Sequence, residues 1–307
     1  MARDDSFTPF GDALAAADLS DPWVHGRGDA PDYRPDYGLL EKLLTIPVAA
    51  GKGWATGALA NGVDSWLAHE LRRSGFKPDE VWPRATRPRI LPRDIALLLE
   101  KLPRQLSDEV RARVMAMPVV APTDAKILGR AYEKQVDVAI SRWDRGPELL
   151  LSTKTQISSF GKNLSNRFEE AYGDAGNLRS RYPLAAVGFF FVQRSTILTD
   201  EPDAYERTVD MIRKLRDLGG ANGYTATGLA LVSWSDEDST VKVELDRVPQ
   251  HVRPEQFMTR MIEQVLAATS VSQHVDVRGL IERRELAVAD EDEMTDLAQK
   301  SAVEPRY

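Results

Sequence analysis

VDVAISRWDRGPELLLSTKTQ, residues Val136 to Gln156, is the stretch whose reading decides the fold of this chain. Its first arm alternates Val, Asp, Val, Ala, Ile through Ile140, and its second is apolar from Leu149 to Leu151, both of strand length. Between them Trp143-Asp144-Arg145-Gly146-Pro147 is dense in turn formers, so the two arms read as one antiparallel hairpin. Residues two apart on a strand share a face, which points Ser152 and Lys154 the same way. A register that brings Asp137 beside them gathers a carboxylate, a hydroxyl and an ammonium in one pocket. The bland alternative for the same pattern is a solvated hairpin with a charged rim.

That set suits phosphodiester hydrolysis. The scissile phosphate is anionic and repels hydroxide, so a carboxylate-held magnesium ion serves to neutralise it and to lower the pKa of an attacking water. A lysine beside that water stabilises the developing charge. Asp137 is the expected metal ligand and Lys154 its charged partner.

At these residues the chain resembles the PD-(D/E)XK nuclease superfamily, whose signature is an aspartate, a spacer and then acid-any-lysine on the following strand. Val136 stands where the motif has proline, Asp137 is its aspartate, and Ser152-Thr153-Lys154 replaces acid-any-lysine. Gln156 follows the lysine as in several branches of the superfamily, and the resemblance extends from Gly129 to Arg194. The serine removes one expected carboxylate. Restriction enzymes that recognise CCGG-type sites are similar there: they carry a serine and recruit a glutamate from the next helix. Glu169 and Glu170 in LSNRFEEAYGDAGNL are the downstream candidates, and Glu133 in GRAYEKQ is an upstream one; spacing does not rank them. The resemblance implies a mixed α/β fold, a restriction-endonuclease-like core with a central mixed sheet flanked by helices. It implies Mg2+ held by Asp137 with Glu169 or Glu170, and a catalytic group that includes Ser152, Lys154, Gln156 and the candidate glutamates. The implied activity is that of a DNA endonuclease of restriction (type II-like) or anti-phage defence, cutting double-stranded DNA as a homodimer, with a cognate DNA methyltransferase as functional partner. A recombination or repair nuclease on the same scaffold is the second reading, and a DNA-binding protein with a degenerate nuclease core the third.

Directly after Lys154, SSFGKNLSNR supplies Ser158, Ser159, Lys162, Asn163, Asn166 and Arg167, donors suited to phosphate oxygens or base edges. A helix beginning there aims free amides at an anion. Arg179 and Arg181 extend the same basic character. Read without its neighbours, the segment is an ordinary solvated helix start anchored by Phe160.

Composition sets limits around this site. The 307 residues, 42% apolar, suffice for one large domain or two. Cysteine is absent, which excludes a disulfide framework and thiolate zinc sites. The four histidines, His25, His69, His251 and His274, form no ligand pair. The longest apolar run, Ala185 to Val192, is strand-sized, so a soluble, cytoplasmic protein without membrane attachment is expected. The net charge of −7 is uneven: residues 1–30 hold two basic and six acidic side chains, and residues 282–307 hold four and eight, so the ends account for the whole deficit. Within the body, Arg72, Arg73, Lys77, Arg84, Arg87, Arg89 and Arg93 face only Asp79 and Glu80 between residues 71 and 93. Arg87 and Arg89 are the candidate DNA contacts there, against the plainer reading of a basic connector between helices.

Along the chain, residues 1–35 are acidic and rich in proline and glycine, and are expected to be poorly ordered. Residues 36–120 read as a helical amino-terminal subdomain, with Leu59, Val63, Trp66, Leu67 and Leu71 on one helix face and a Ser-Asp cap opening SDEVRARVMAM. The catalytic domain is expected over residues 121–270: a helix capped by Thr123 and running to Lys134, the hairpin, a helix from Leu164 to Leu178, a strand from Ala185 to Val192, a helix from about Asp203, strands at Thr225–Ser233 and Val241–Leu245, and a helix in PEQFMTRMIEQVL. Residues 271–307 read as an acidic, disordered tail.

Overall fold

The computed structural model describes residues 5–26, 30–52, 56–162, 164–217, 223–235 and 237–282. Its helices are α1 (Gly11–Ala15), α2 (Tyr37–Pro47), α3 (Thr56–Arg73), α4 (Arg93–Lys101), α5 (Arg104–Met115), α6 (Leu164–Arg179), α7 (Ile197–Asp200), α8 (Pro202–Asp217), α9 (Pro254–Ala268) and α10 (Val275–Glu282). Its strands are β1 (Trp23–Val24), β2 (Asp32–Tyr33), β3 (Val81–Trp82), β4 (Ala125–Leu128), β5 (Glu133–Val136), β6 (Val138–Arg142), β7 (Gly146–Gln156), β8 (Ala186–Arg194), β9 (Ala226–Ser233) and β10 (Lys242–Glu244).

A mixed six-stranded sheet, ordered β10-β9-β8-β7-β6-β3, organises the molecule. β7, β8 and β9 run parallel, while β6, β3 and β10 are antiparallel to their neighbours. The hairpin read from the sequence is β6–β7, with Val138 opposite Leu151 and a register slip between Ile140 and Ser141. Both faces of the sheet are covered, so its central strands are almost continuously apolar rather than alternating. Val138, Ile140, Leu149, Leu151, Phe190 and Val192 face one core with Leu43, Trp66 and Leu67 of α2 and α3 and Met258 and Ile262 of α9. Ala139, Leu150, Phe189, Phe191 and Leu229 face a second core with Phe168 of α6 and Ile212 of α8.

Several expectations change at this level. The helix expected from Thr123 to Lys134 is instead the β4–β5 hairpin, paired from Ala125↔Val136 to Leu128↔Glu133. Its turn is closed from outside: the Asn177 side chain on α6 accepts from the amides of Ala131 and Tyr132 and donates to the Tyr132 carbonyl. A partner forty-five residues away overrides the local Thr-Asp cap signal, and the Thr123 hydroxyl merely donates to Asp124. Within residues 36–120, expected as a helical subdomain, α2 and α3 lie directly on the sheet and β3 is its edge strand. Only α4 and α5 keep a small core of their own, Leu91, Ala96, Leu99 and Val114. Ser107 lies inside α5, which starts at Arg104 after Pro103, and its hydroxyl donates to the Leu99 carbonyl. In the amino-terminal segment Phe10, Trp23 and Tyr33 are buried in the main core. At the other end α10 buries Val277, so ordered structure continues past residue 271, and residues 283–307 lie outside the described residues. Among the described residues no helix is long and apolar enough to cross a membrane.

Candidate active site

The sheet forks at Asp137. Its backbone N–H still donates to the Leu151 carbonyl at 2.9 Å, but β5, just before it, turns away to pair with β4. From Ser152 onward β7 therefore lacks an antiparallel partner on that side, and the orphaned Thr153 N–H donates to the Asp137 carboxylate at 2.7 Å. A strand amide in need of an acceptor thus fixes the carboxylate, as buried backbone donors require.

Alternation along β7 sends successive side chains to opposite faces. Thr153 points toward α3, where its hydroxyl donates to Asp64 at 2.6 Å. Thr153 thereby ties two carboxylates together, Asp137 through its amide and Asp64 through its hydroxyl. Asp64 is buried on the core-facing stripe of α3 among Val63, Leu67 and Leu71. Burial holds its carboxyl well above the ordinary range, and the charge of Asp137 adds to the rise, against the Thr153 hydrogen bond. Asp137 is also raised by burial, with the Thr153 amide, Lys154 and Lys134 pulling the other way.

Ser152 and Lys154 share the opposite face of β7, as their spacing requires, toward α6. Ser152 is buried and Lys154 lies 3.6 Å from Glu170. Glu170 also meets Lys134 at 3.3 Å, and Lys134 is anchored by buried Asp174 at 2.5 Å. Asp174 in turn accepts from the Tyr132 hydroxyl at 3.0 Å. Partial burial raises the Glu170 carboxyl, but Lys154 and Lys134 outweigh it and hold Glu170 below the ordinary range.

The three candidate replacement acids are thereby separated. Glu170 reaches the lysines; Glu169 is exposed on α6; Glu133 is exposed on β5, opposite Leu128. Two other carboxylates meet Asp137 electrostatically, Asp64 on α3 and Asp174 on α6, and sequence reasoning missed both. A signal was present: an aspartate in register with Leu67 and Leu71 on an apolar helix stripe is the kind of buried polar group that asks for an explanation. Gln156 is a brace rather than a member of this group. It is buried, donates to the carbonyls of Ser159 and Phe160, and accepts from Gln193.

The loop after Lys154 is already satisfied by protein. Glu201 accepts from the amides of Phe160 at 2.8 Å and Gly161 at 2.6 Å, so those donors are not aimed at an external anion. Ser159, Lys162 and Asn166 are exposed, Arg167 is half-buried, and Asn163 lies outside the described residues. Most of the basic stretch is also paired internally: Arg73 with Glu70, Lys77 with Asp276, Arg84 with Asp79, Arg93 with Glu80, and Arg87 and Arg89 with Asp5. Arg72 donates to the Val81 and Pro83 carbonyls. Two of these partners, Asp5 and Asp276, come from distant segments that a window of charge counting does not see; the others are local.

A cavity of about 90 Å³ opens beside the carboxylate pair, with Asn61, Asp64, Asp124 and Asp137 among its walls. It is small against the roughly 300–1,000 Å³ of sites that enclose a whole small molecule. A large substrate must lie across such an opening and present only one group to it. Among the described residues no three acidic or histidine side chains converge closely enough to hold a metal ion unaided. Magnesium does not demand that, since it retains waters and binds through one or two carboxylates plus substrate oxygens. No protein-family model matches the chain, and no curated protein or solved structure matches it.

Proposed function

We propose that the chain is a metal-dependent phosphodiesterase acting on nucleic acid. The observation that carries this reading is Thr153, which clamps two carboxylates, buried Asp64 and half-buried Asp137, at a fork in the sheet one residue from Lys154. Two like charges with raised proton affinity, sharing a small polar cavity, suit a divalent cation. Asp137 and Asp64 would hold magnesium, which when bound neutralises phosphate charge and lowers the pKa of a coordinated water. Lys154, steadied by Glu170, supplies positive charge where the attacking and departing oxygens become negative. Lys134 shares Glu170 with it and is fixed by Asp174, and the charges of both lysines act on Asp137.

More particularly, we read the protein as a magnesium-dependent DNA endonuclease with a PD-(D/E)XK restriction-endonuclease-like core, of restriction or anti-phage defence, acting on duplex DNA as a homodimer. Supporting this are the hairpin that carries Asp137 and Lys154 and the helix α6 that returns the chain to a parallel strand β8. One observation favours a DNA-binding protein with a degenerate core: Ser152 where the motif has an acid. Asp64 answers it by supplying a second carboxylate from the other face of the sheet.

The test is incubation of purified protein with plasmid and phage DNA in magnesium, in manganese and in EDTA. Metal-dependent discrete fragments are the expected result, lost in Asp137→Ala and Lys154→Ala. Preference for branched substrates would move the reading to repair, and DNA retention without cutting in any metal would refute catalysis.

A further inference from the structure

One wall of the cavity beside Asp64 and Asp137 is built by the amino-terminal segment, through Ser6 and Phe7, and another by Arg89. Just before them, the Asp5 carboxylate is only 8% exposed. One of its oxygens accepts from Arg89 Nε at 2.9 Å and lies 3.5 Å from Arg87 Nε. Its other oxygen accepts from the Phe7 amide at 3.1 Å, and Phe10 pins the segment to the main core. Arg89 has a structural duty besides, donating to the Arg84 and Ala85 carbonyls within its own loop. Arg87 does not share that duty: its side chain is 46% exposed, and its carbonyl accepts from Arg111, which brings a third guanidinium to the loop. Two guanidinium groups on one anionic oxygen, beside a cavity too small for more than a single group, form the recognition geometry of a phosphate.

We propose that Arg87 and Arg89 form a phosphate subsite for the nucleic-acid strand, and that Asp5 is an intramolecular phosphate mimic that occupies it and restrains substrate binding. The identity of the substrate rests on the nuclease reading; the competition itself depends on neither metal nor Lys154. A site occupied by its own chain binds an outside ligand in proportion to the fraction of time it stands open. Freeing it therefore tightens binding with no new contact.

Asp5→Asn tests this, because it removes the charge and keeps an oxygen for the Phe7 amide. Binding of a fluorescein-labelled DNA duplex is followed by anisotropy in EDTA for wild type, Asp5→Asn, Arg87→Gln and the double variant, with a thermal melt of each. Asp5→Asn is expected to bind about fivefold tighter. Arg87→Gln is expected to bind more weakly, with a salt slope shallower by about one. In the Arg87→Gln background the gain from Asp5→Asn should disappear. The proposal is overturned if Asp5→Asn melts lower but binds no tighter, if its gain persists without Arg87, or if neither wild type nor Asp5→Asn binds duplex. If Asp5→Asn binds tighter while neither protein cuts DNA in magnesium, the subsite stands and the nuclease reading falls. Cutting by wild type without tighter binding by Asp5→Asn is the reverse case.

Discussion

Asp64→Asn should stabilise the metal-free protein while abolishing the proposed phosphodiesterase activity. In the wild type this carboxyl is buried, faces Asp137, and is held well above its ordinary range. Its folded-state pKa exceeds the unfolded one, so near neutrality an ionised Asp64 costs stability, about 1.4 kcal/mol for each unit of the rise. Asparagine removes that cost. It also weakens the Thr153 hydrogen bond from a charge-assisted to a neutral one, a loss of about 1 kcal/mol. With the carboxyl held well above its ordinary range the first effect exceeds the second, so a melting temperature above that of wild type is expected at pH 7.5 in EDTA, each kcal/mol of net gain raising it by about 2 °C. As pH falls through the folded-state pKa, the native wild type takes up the proton and recovers the same stability, so its difference from Asp64→Asn shrinks in acid. On the proposed metal-site reading magnesium reverses the order at neutral pH, because an ion that binds only the native site raises the wild-type melting temperature by linkage and leaves the variant unchanged. Differential scanning fluorimetry across pH, with and without magnesium, reads all three effects. A variant that melts below wild type in EDTA, with both proteins shifted equally by magnesium, would refute the carboxylate-pair argument.

Other outcomes follow from the same contacts. Glu170→Gln should lower kcat while leaving DNA affinity within about twofold, since it loosens Lys154 without removing a cation; unchanged single-turnover cleavage would count against a steadying role. Glu80→Ala removes the carboxylate shared by Arg93, Arg142 and Arg145, although Arg142 keeps Asp144 and Arg145 keeps Glu148, and should cost about 1–3 kcal/mol, measured by urea unfolding. His69 is held neutral by burial, with its pKa pushed down to about 4, so the unfolded chain binds a proton before the native state does. Stability should therefore fall as pH drops from about 6.5 to about 4, by about 1.4 kcal/mol per pH unit from this group; His69→Gln should lack that component in parallel melts. Gly129→Ala places a methyl group 2.1 Å from the Asn177 side chain that closes the β4–β5 turn. It should destabilise the protein by about 1–3 kcal/mol, and a melting temperature equal to wild type would show that the turn can shift.

Local pattern carried the hairpin, the strands β8 and β9 and the helices α3, α4, α6, α8 and α9, because each has a periodicity that burial on a two-faced sheet enforces. It likewise placed Ser152 and Lys154 on one face of β7, since side-chain alternation follows from backbone geometry alone, whereas Asp137 sits at the bend between β5 and β6. It failed at β4–β5, where the deciding hydrogen bonds come from Asn177, and in the amino-terminal segment, where Phe10, Trp23 and Tyr33 find a core assembled by later elements. It also left the basic stretch looking uncommitted, although Asp5, Glu70, Asp79, Glu80 and Asp276 were waiting to pair with it. Sequence by itself thus determined most of the elements and the presence of an acid at the open end of the hairpin that carries the lysine. Tertiary structure alone decided that β5 leaves the sheet at Asp137, that the Thr153 amide must then take a carboxylate as acceptor, and that the second carboxylate is Asp64, eighty-nine residues before the threonine that holds it. The physical reason is that hydrogen bonds and charges are satisfied in three dimensions, by whichever partner the packed chain brings near.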